Sequence, residues 1–164
     1  MTNKEIIAHL EAFAAAKMAE HLPADELWAF TWIKTKRTLG ICDYRLRTVS
    51  ASSVYIGIAT VEQLENTILH EISHAIAGYS AGHGLAWQSA CVRIGAEPER
   101  LFDASSISPP YTWTMNCPSC DGPQRQLFSK PRSRRRESCG HCSGGKFNND
   151  YLLTPKKLEP AARK

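Results

Sequence analysis

No hydrophobic run in this sequence approaches the length that a membrane-spanning helix requires. The first residues contain no apolar segment followed by a processing site, so export through a standard signal is not expected. The dispersed cysteines of a disulfide framework are also missing. Of six cysteines, four form two close pairs, Cys117/Cys120 and Cys139/Cys142, the spacing of a metal site in a reducing compartment. Cys42 and Cys91 stand apart and read as buried free thiols. The expected location is the cytoplasm, and no membrane partner is expected.

What is present supports one modest domain with a small appendage: 164 residues, 43% of them hydrophobic. Charge is divided unevenly. Residues 1–110 hold nine Lys or Arg against twelve Asp or Glu, whereas residues 111–164 hold eleven against four. The positive field belongs to the tail, where it points to an anionic partner.

The most informative stretch is residues 70–87, which opens His70-Glu71-Ile72-Ser73-His74. Residues four apart share one helix face, so both imidazoles can reach one metal. Glu71 lies beside the first histidine and can take a proton from bound water instead of filling a ligand position, the geometry of a zinc hydrolase motif. His83 is the nearest candidate for a third ligand. The pattern is unspecific alone, but Leu64, Ile68, Ile72, Ala75 and Ile76 recur with a helical period around it. Buried histidines and a glutamate on such a helix need partners, and a cation supplies one.

The flanking sequence sorts into elements. Residues 3–20 read as an amphipathic helix capped by Asn3, with His9 and His21 as surface residues rather than ligands. Ala29–Trp32 suits a first strand, Gly40 a turn, and Cys42 to Thr48 alternates with the period of a strand. Ser50–Ser53 reads as loop and Val54–Ile58 as a further β-prone run. The motif helix is expected over about 61–79, with Thr60 and Gln63 as a capping box. Gly78 and Gly82 permit a turn that returns His83 towards the metal, and a helix follows from about Leu85 to Ile94. Trp87 reads as a packing residue near the site, with substrate contact as the alternative. Residues 96–111 read as a linker.

In the tail, Tyr111, Trp113 and Met115 alternate as a strand leading into the first cysteine pair. Cys117, Cys120, Cys139 and Cys142 can present four thiolates tetrahedrally to a structural Zn²⁺, with a short hairpin between the pairs. His141 either points outward or replaces one cysteine. The module has too little apolar sequence to fold on packing alone, so metal binding contributes much of its folding free energy. Lys130, Arg132, Arg134, Arg135 and Arg136 form a dense basic cluster with Trp113, Phe128 and Phe147 nearby in sequence. Phosphate contacts with stacking on an exposed ring fit nucleic-acid binding; a merely solvated loop is the plainer reading.

Taken together, His70-Glu71-Ile72-Ser73-His74, His83-Gly84-Leu85-Ala86-Trp87 and the four-cysteine ribbon resemble the SprT-like zinc metallopeptidase family, which includes the Spartan protease. The compactness of the chain fits a bacterial or phage-encoded member, nucleoid-associated or in a host cytoplasm. The resemblance implies an α+β fold: a zincin-like core with a small antiparallel sheet over residues 1–110, a zinc ribbon over 111–153, and a flexible basic tail over 154–164. It implies His70, His74 and His83 as zinc ligands and Glu71 as the base. It also implies a zinc endopeptidase acting on protein substrates, DNA-bound or DNA-crosslinked proteins among them. Two zinc ions, one catalytic and one structural, and a monomer are expected. Tyr44, Tyr55 and Tyr79 are candidates to stabilise an oxyanion. Two other readings stay open: a nucleic-acid-binding zinc protein with an inactive protease-like domain, and a metal-dependent amidohydrolase on a non-protein substrate.

Overall fold

A computed structural model describes residues 1–98, 107, 110–120, 123–132 and 136–158 and divides the chain into two units, Met1–Pro109 and Pro110–Lys164. The first unit opens with helix α1, Asn3–His21. Thr2, not Asn3, is its cap. The Thr2 hydroxyl accepts from the Glu5 amide while the Glu5 carboxylate accepts from the Thr2 amide at 2.7 Å. A threonine with glutamate three residues on satisfies two free amides at once, which Asn3 has no partner to match. Leu10, Ala14 and Met18, four apart, form the buried face of α1.

Three short strands follow: β1, Ala29–Ile33; β2, Gly40–Asp43; and β3, Thr48–Ser52. Their order is β1-β3-β2. β2 and β3 are antiparallel, whereas β1 runs parallel to β3, so the sheet expected as antiparallel is mixed. The cause is connectivity. The chain leaves β1, crosses to the far side and returns through a tight turn, which seats β3 in the middle, running with β1.

Two local expectations give way to side-chain chemistry. The alternation from Cys42 to Thr48 is not one strand. Asp43 Oδ1 accepts from the amides of Arg45 and Leu46, both at 2.9 Å, and Arg47 adopts a positive φ of 50°. Such a carboxylate-bonded turn competes directly with extended backbone. The serines read as loop instead line β3, where Ser50 and Ser52 are buried. The Ser52 hydroxyl donates to the Thr35 carbonyl, which makes its burial tolerable. Val54–Ile58 supplies no further strand; a 3₁₀ turn at Ser53–Tyr55 takes its place.

Helix α2, Val61–Ala77, carries the motif. Its capping box has both bonds in place: Thr60 accepts from the Gln63 amide, and Gln63 accepts from the Thr60 amide at 2.8 Å. Leu64, Ile68 and Ile72 are fully buried with Leu10, Val49 and Trp87. Each such side chain contributes about 1.5–3 kcal/mol of transfer free energy. Helix α3, Leu85–Ile94, packs on α2 through Trp87 and Cys91 and ends at Gly95.

The second unit is a three-stranded antiparallel sheet: β4, Trp113–Asn116; β5, Pro123–Leu127; and β6, Thr154–Lys157, in the order β5-β4-β6. The tail expected from Thr154 onwards opens with strand β6, Thr154–Lys157. It pairs along β4, from Asn116↔Thr154 to Trp113↔Lys157, because β4 offers a free row of backbone donors and acceptors there. Residues 159–164 of that tail lie outside the described residues. Among the described residues, no helix is long and apolar enough to cross a membrane.

Candidate active site and metal centres

His70 and His74 lie four apart on α2, so one helix face presents both rings. Their position along the chain is held from several sides. The Gly78 amide donates to the His74 carbonyl at 3.0 Å and ends the helix. The Tyr44 hydroxyl donates to the same carbonyl at 2.9 Å. Past Gly78, at φ 82°, a 3₁₀ turn at Tyr79–Ala81 leads to Gly82, with φ 51° and ψ −130°. Those angles exclude an ordinary side chain. The Gly84 amide then donates to the Ala81 carbonyl at 2.9 Å, and the chain has turned back to deliver His83.

The three imidazoles converge. His83 Nε2 lies 3.2 Å from His74 Nε2 and 3.2 Å from His70 Nε2. Nitrogens on a tetrahedral zinc at about 2.0–2.1 Å stand about 3.4 Å apart, so the donor set fits that ion closely. Trp87 is fully buried beneath it, with ring centroids 4.7, 5.4 and 4.6 Å from those of His70, His74 and His83. Its indole N–H points to the His70 carbonyl at 3.5 Å. Trp87 therefore packs the ligand set from behind.

Burial governs protonation here. It pushes His70 and His74 down to about 4, assisted by repulsion from the neighbouring imidazoles. At neutral pH both rings are uncharged and hold a lone pair for a cation. Burial pushes Glu71 up to about 8, against the lowering effect of a hydrogen bond from the Cys42 backbone amide. A cation beside it favours the carboxylate form.

The second cluster joins Cys117, Cys120, Cys139 and Cys142, whose sulfurs all lie within 4.8 Å of one another. Cys120 Sγ to Cys139 Sγ is 3.7 Å and Cys117 Sγ to Cys142 Sγ is 3.9 Å. Four sulfurs at about 2.3 Å from a tetrahedral zinc stand about 3.8 Å apart, so these separations fit; Cys120 Sγ to Cys142 Sγ, at 2.9 Å, is shorter. The Cys142 amide draws the Cys139 thiol down, whereas close contact with Cys142 pushes the Cys120 thiol up. The first pair lies between β4 and β5. The second lies in a turn where the Cys139 amide donates to the Tyr151 carbonyl at 2.9 Å. His141 is exposed and outside the four-sulfur set.

Other expectations find their places. His9 bonds Glu65 at 2.6 Å, and His21 lies beside Glu20 at 3.5 Å; neither belongs to a metal-ligand cluster. Tyr55 is buried and donates to the Lys36 carbonyl, and Tyr44 is committed to His74. Tyr79 is largely exposed, with its ring edge-on to Tyr44. Cys42 and Cys91 are free thiols. Lys130, Arg132 and Arg136 are exposed, with Lys130 Nζ 5.6 Å from the centre of the Trp113 ring. Arg134 and Arg135 lie outside the described residues. Sequence patterns missed Gly40, read as a turn but placed at the start of β2 against Glu71. A glycine opening a short strand is the only signal that could have marked the contact.

A helix-borne histidine pair, a third histidine returned by a glycine turn and a separate four-cysteine module define a zinc-dependent metallopeptidase of α+β fold. The chain belongs to the SprT-like family, whose model matches residues 4–106, a span that includes all three histidines. No curated protein matches it. Its activity is that of a zinc-dependent endopeptidase, with one candidate site for a catalytic zinc and one for a structural zinc.

Proposed function

We propose that Glu71 carries the proton in peptide hydrolysis at the His70, His74 and His83 centre, and that the C-terminal module brings DNA-associated proteins to it. One observation carries the catalytic part. A buried carboxylate stands on the ligand helix, next to a ligand and outside the ligand set. Such a group is placed to move a proton and does not occupy a metal position.

His70, His74 and His83 would hold a zinc ion, which would supply Lewis acidity for activating water and polarising a carbonyl oxygen. Glu71 takes the proton that the attacking water loses, then delivers it to the departing amine nitrogen. Trp87 keeps water from the rear of the histidines. His70, His74 and His83 act only as ligands.

The preference for DNA-associated substrates rests on the basic tail. Exposed Lys130, Arg132 and Arg136, with Lys156 and Lys157 on β6, support phosphate contact, and the partly exposed Trp113 supports stacking. Such a module raises the local concentration of DNA-bound protein without selecting a side chain at the cleavage site. Each centre draws all its donors from one chain, which supports action as a monomer. The cysteine usage supports a reducing, cytoplasmic compartment.

The test compares the zinc-loaded protein with its Glu71→Gln variant on casein and on histone, with and without DNA. The variant is expected to keep both zinc ions and lose roughly 10²–10⁴-fold in turnover. Normal turnover at full metal content would remove Glu71 from the chemistry. Cleavage of histone that DNA does not enhance would remove the tail's recruiting role.

A further inference from the structure

Gly40 is buried at the first position of β2, an edge strand beside α2. Its φ lies outside the left-handed region, so backbone freedom does not explain a glycine there. Space does. A Cβ at this position would lie 2.7 Å from Glu71 Cγ, 2.8 Å from Glu71 Oε1 and 2.8 Å from Thr67 Cγ2. Carbon atoms in good contact stand about 3.5–4.0 Å apart, so a methyl group here forces something to move.

The strand cannot readily retreat. Thr38 Oγ1 donates to the Gly40 carbonyl at 2.8 Å, the neighbouring Leu39 carbonyl accepts from Ser52, and Gly40 pairs with Ala51 on β3. The backbone of Glu71 is fixed in the middle of α2, one residue from His70. The movable part is the Glu71 side chain. Two residues along the same strand, the Cys42 amide favours the charged form of the same carboxylate, against the effect of burial. β2 therefore meets Glu71 at the bare α-carbon of Gly40, which admits its stem, and its Cys42 amide favours the charged head.

We infer that Gly40 is a positioning residue for Glu71, its missing side chain forming the slot that sets where the carboxylate stands. The inference deepens the reading of Glu71 as the proton carrier and rests on it. A methyl group at 40 displaces the carboxylate and changes its effect on the Cys42 amide, while the histidines, held from Gly78, Tyr44 and Trp87, keep their places.

The experiment uses the zinc-loaded full chain with Gly40→Ala. Zinc content and KM for casein are expected to be unchanged, while kcat falls roughly 10²-fold, the scale of a misplaced catalytic group. A second readout is independent of turnover. The Cys42 amide resonance of isotope-labelled protein should move in Gly40→Ala as it does in Glu71→Gln. A third is a pair of stability cycles. The loss of Tm from Gly40→Ala should largely vanish in a Glu71→Ala background, where the crowded atoms are gone, and persist in Thr67→Ser, which removes only the Thr67 methyl. Wild-type kcat with an unmoved Cys42 amide overturns the inference. So does full recovery in Thr67→Ser, which assigns Gly40 to packing against Thr67, and so does failure of Gly40→Ala to fold in both backgrounds. Normal turnover by Glu71→Gln would instead sink the proton-carrier reading, leaving the amide and stability readouts to judge the slot on their own.

Discussion

Glu71 is a carboxylate placed where water solvates it poorly, and the metal-free protein bears that cost. Its folded pKa of about 8 lies above the ordinary 4.5. Between those values the folded chain holds a proton on this group that the unfolded chain has lost, so its contribution to stability is complete below the unfolded value and disappears as pH rises through 8. His70 and His74 act in the opposite sense. Their folded values of about 4 lie below 6.5, so their contribution is complete above 6.5 and is lost as pH falls towards 4. In the window from 6.5 to 8, Glu71 is the one of these three that titrates differentially. Chelated wild-type protein should therefore lose Tm across that window, and chelated Glu71→Gln should lose less. Parallel melting curves would refute the burial argument. The Cys42 thiol shows the same physics: burial, then the nearby Glu71, pushes it up to about 12, so it stays protonated at neutral pH.

At the level of elements, the return from α2 to α3 decides whether a third ligand exists. Gly82 holds φ 51° and ψ −130°, where an L side chain is strained. Gly82→Ala should cost roughly 1–3 kcal/mol in the conformation that presents His83, which corresponds to about five- to 150-fold weaker zinc binding at that centre. Competition with a chelator of known affinity measures it, with circular dichroism confirming that α2 is intact. Unchanged affinity would mean that the turn has freedom to spare. The helices were legible because each carries its own punctuation. The Thr60–Gln63 box and Gly78 mark α2, and Gly95 ends α3. The strands were less legible, since Asp43 breaks an apparently continuous alternation by bonding two amides, and Ser50 and Ser52 are buried only because neighbouring segments accept or cover them. Short strands of four or five residues hold too few periods for the pattern to outweigh one such bond.

Across the whole molecule, charge and metal divide the work. The first unit is net acidic and carries the histidine centre; the second is strongly basic and carries the cysteine centre. Substituting Arg132, Arg134, Arg135 and Arg136 together with glutamine should weaken DNA binding and reduce the slope of log affinity against log salt by roughly 0.9 for each duplex phosphate no longer neutralised. A salt titration of both proteins checks this, and superimposable lines would remove the tract from DNA recognition. The hydrolysis of casein without DNA should be untouched, because the role proposed for these residues is DNA contact and not the reaction.

The sequence by itself determined the chemistry: two histidines at helical spacing with a glutamate between them, a third histidine past two glycines, and two cysteine pairs. These depend on local periodicity and on ligand preference, both of which are written along the chain. Only the tertiary structure decided how the glutamate is aimed. Gly40 and Cys42 lie about thirty residues before Glu71, and no pattern along the chain links them. Their contacts with its side chain come from laying the edge strand against α2, where the absence of one methyl group leaves room for the carboxylate.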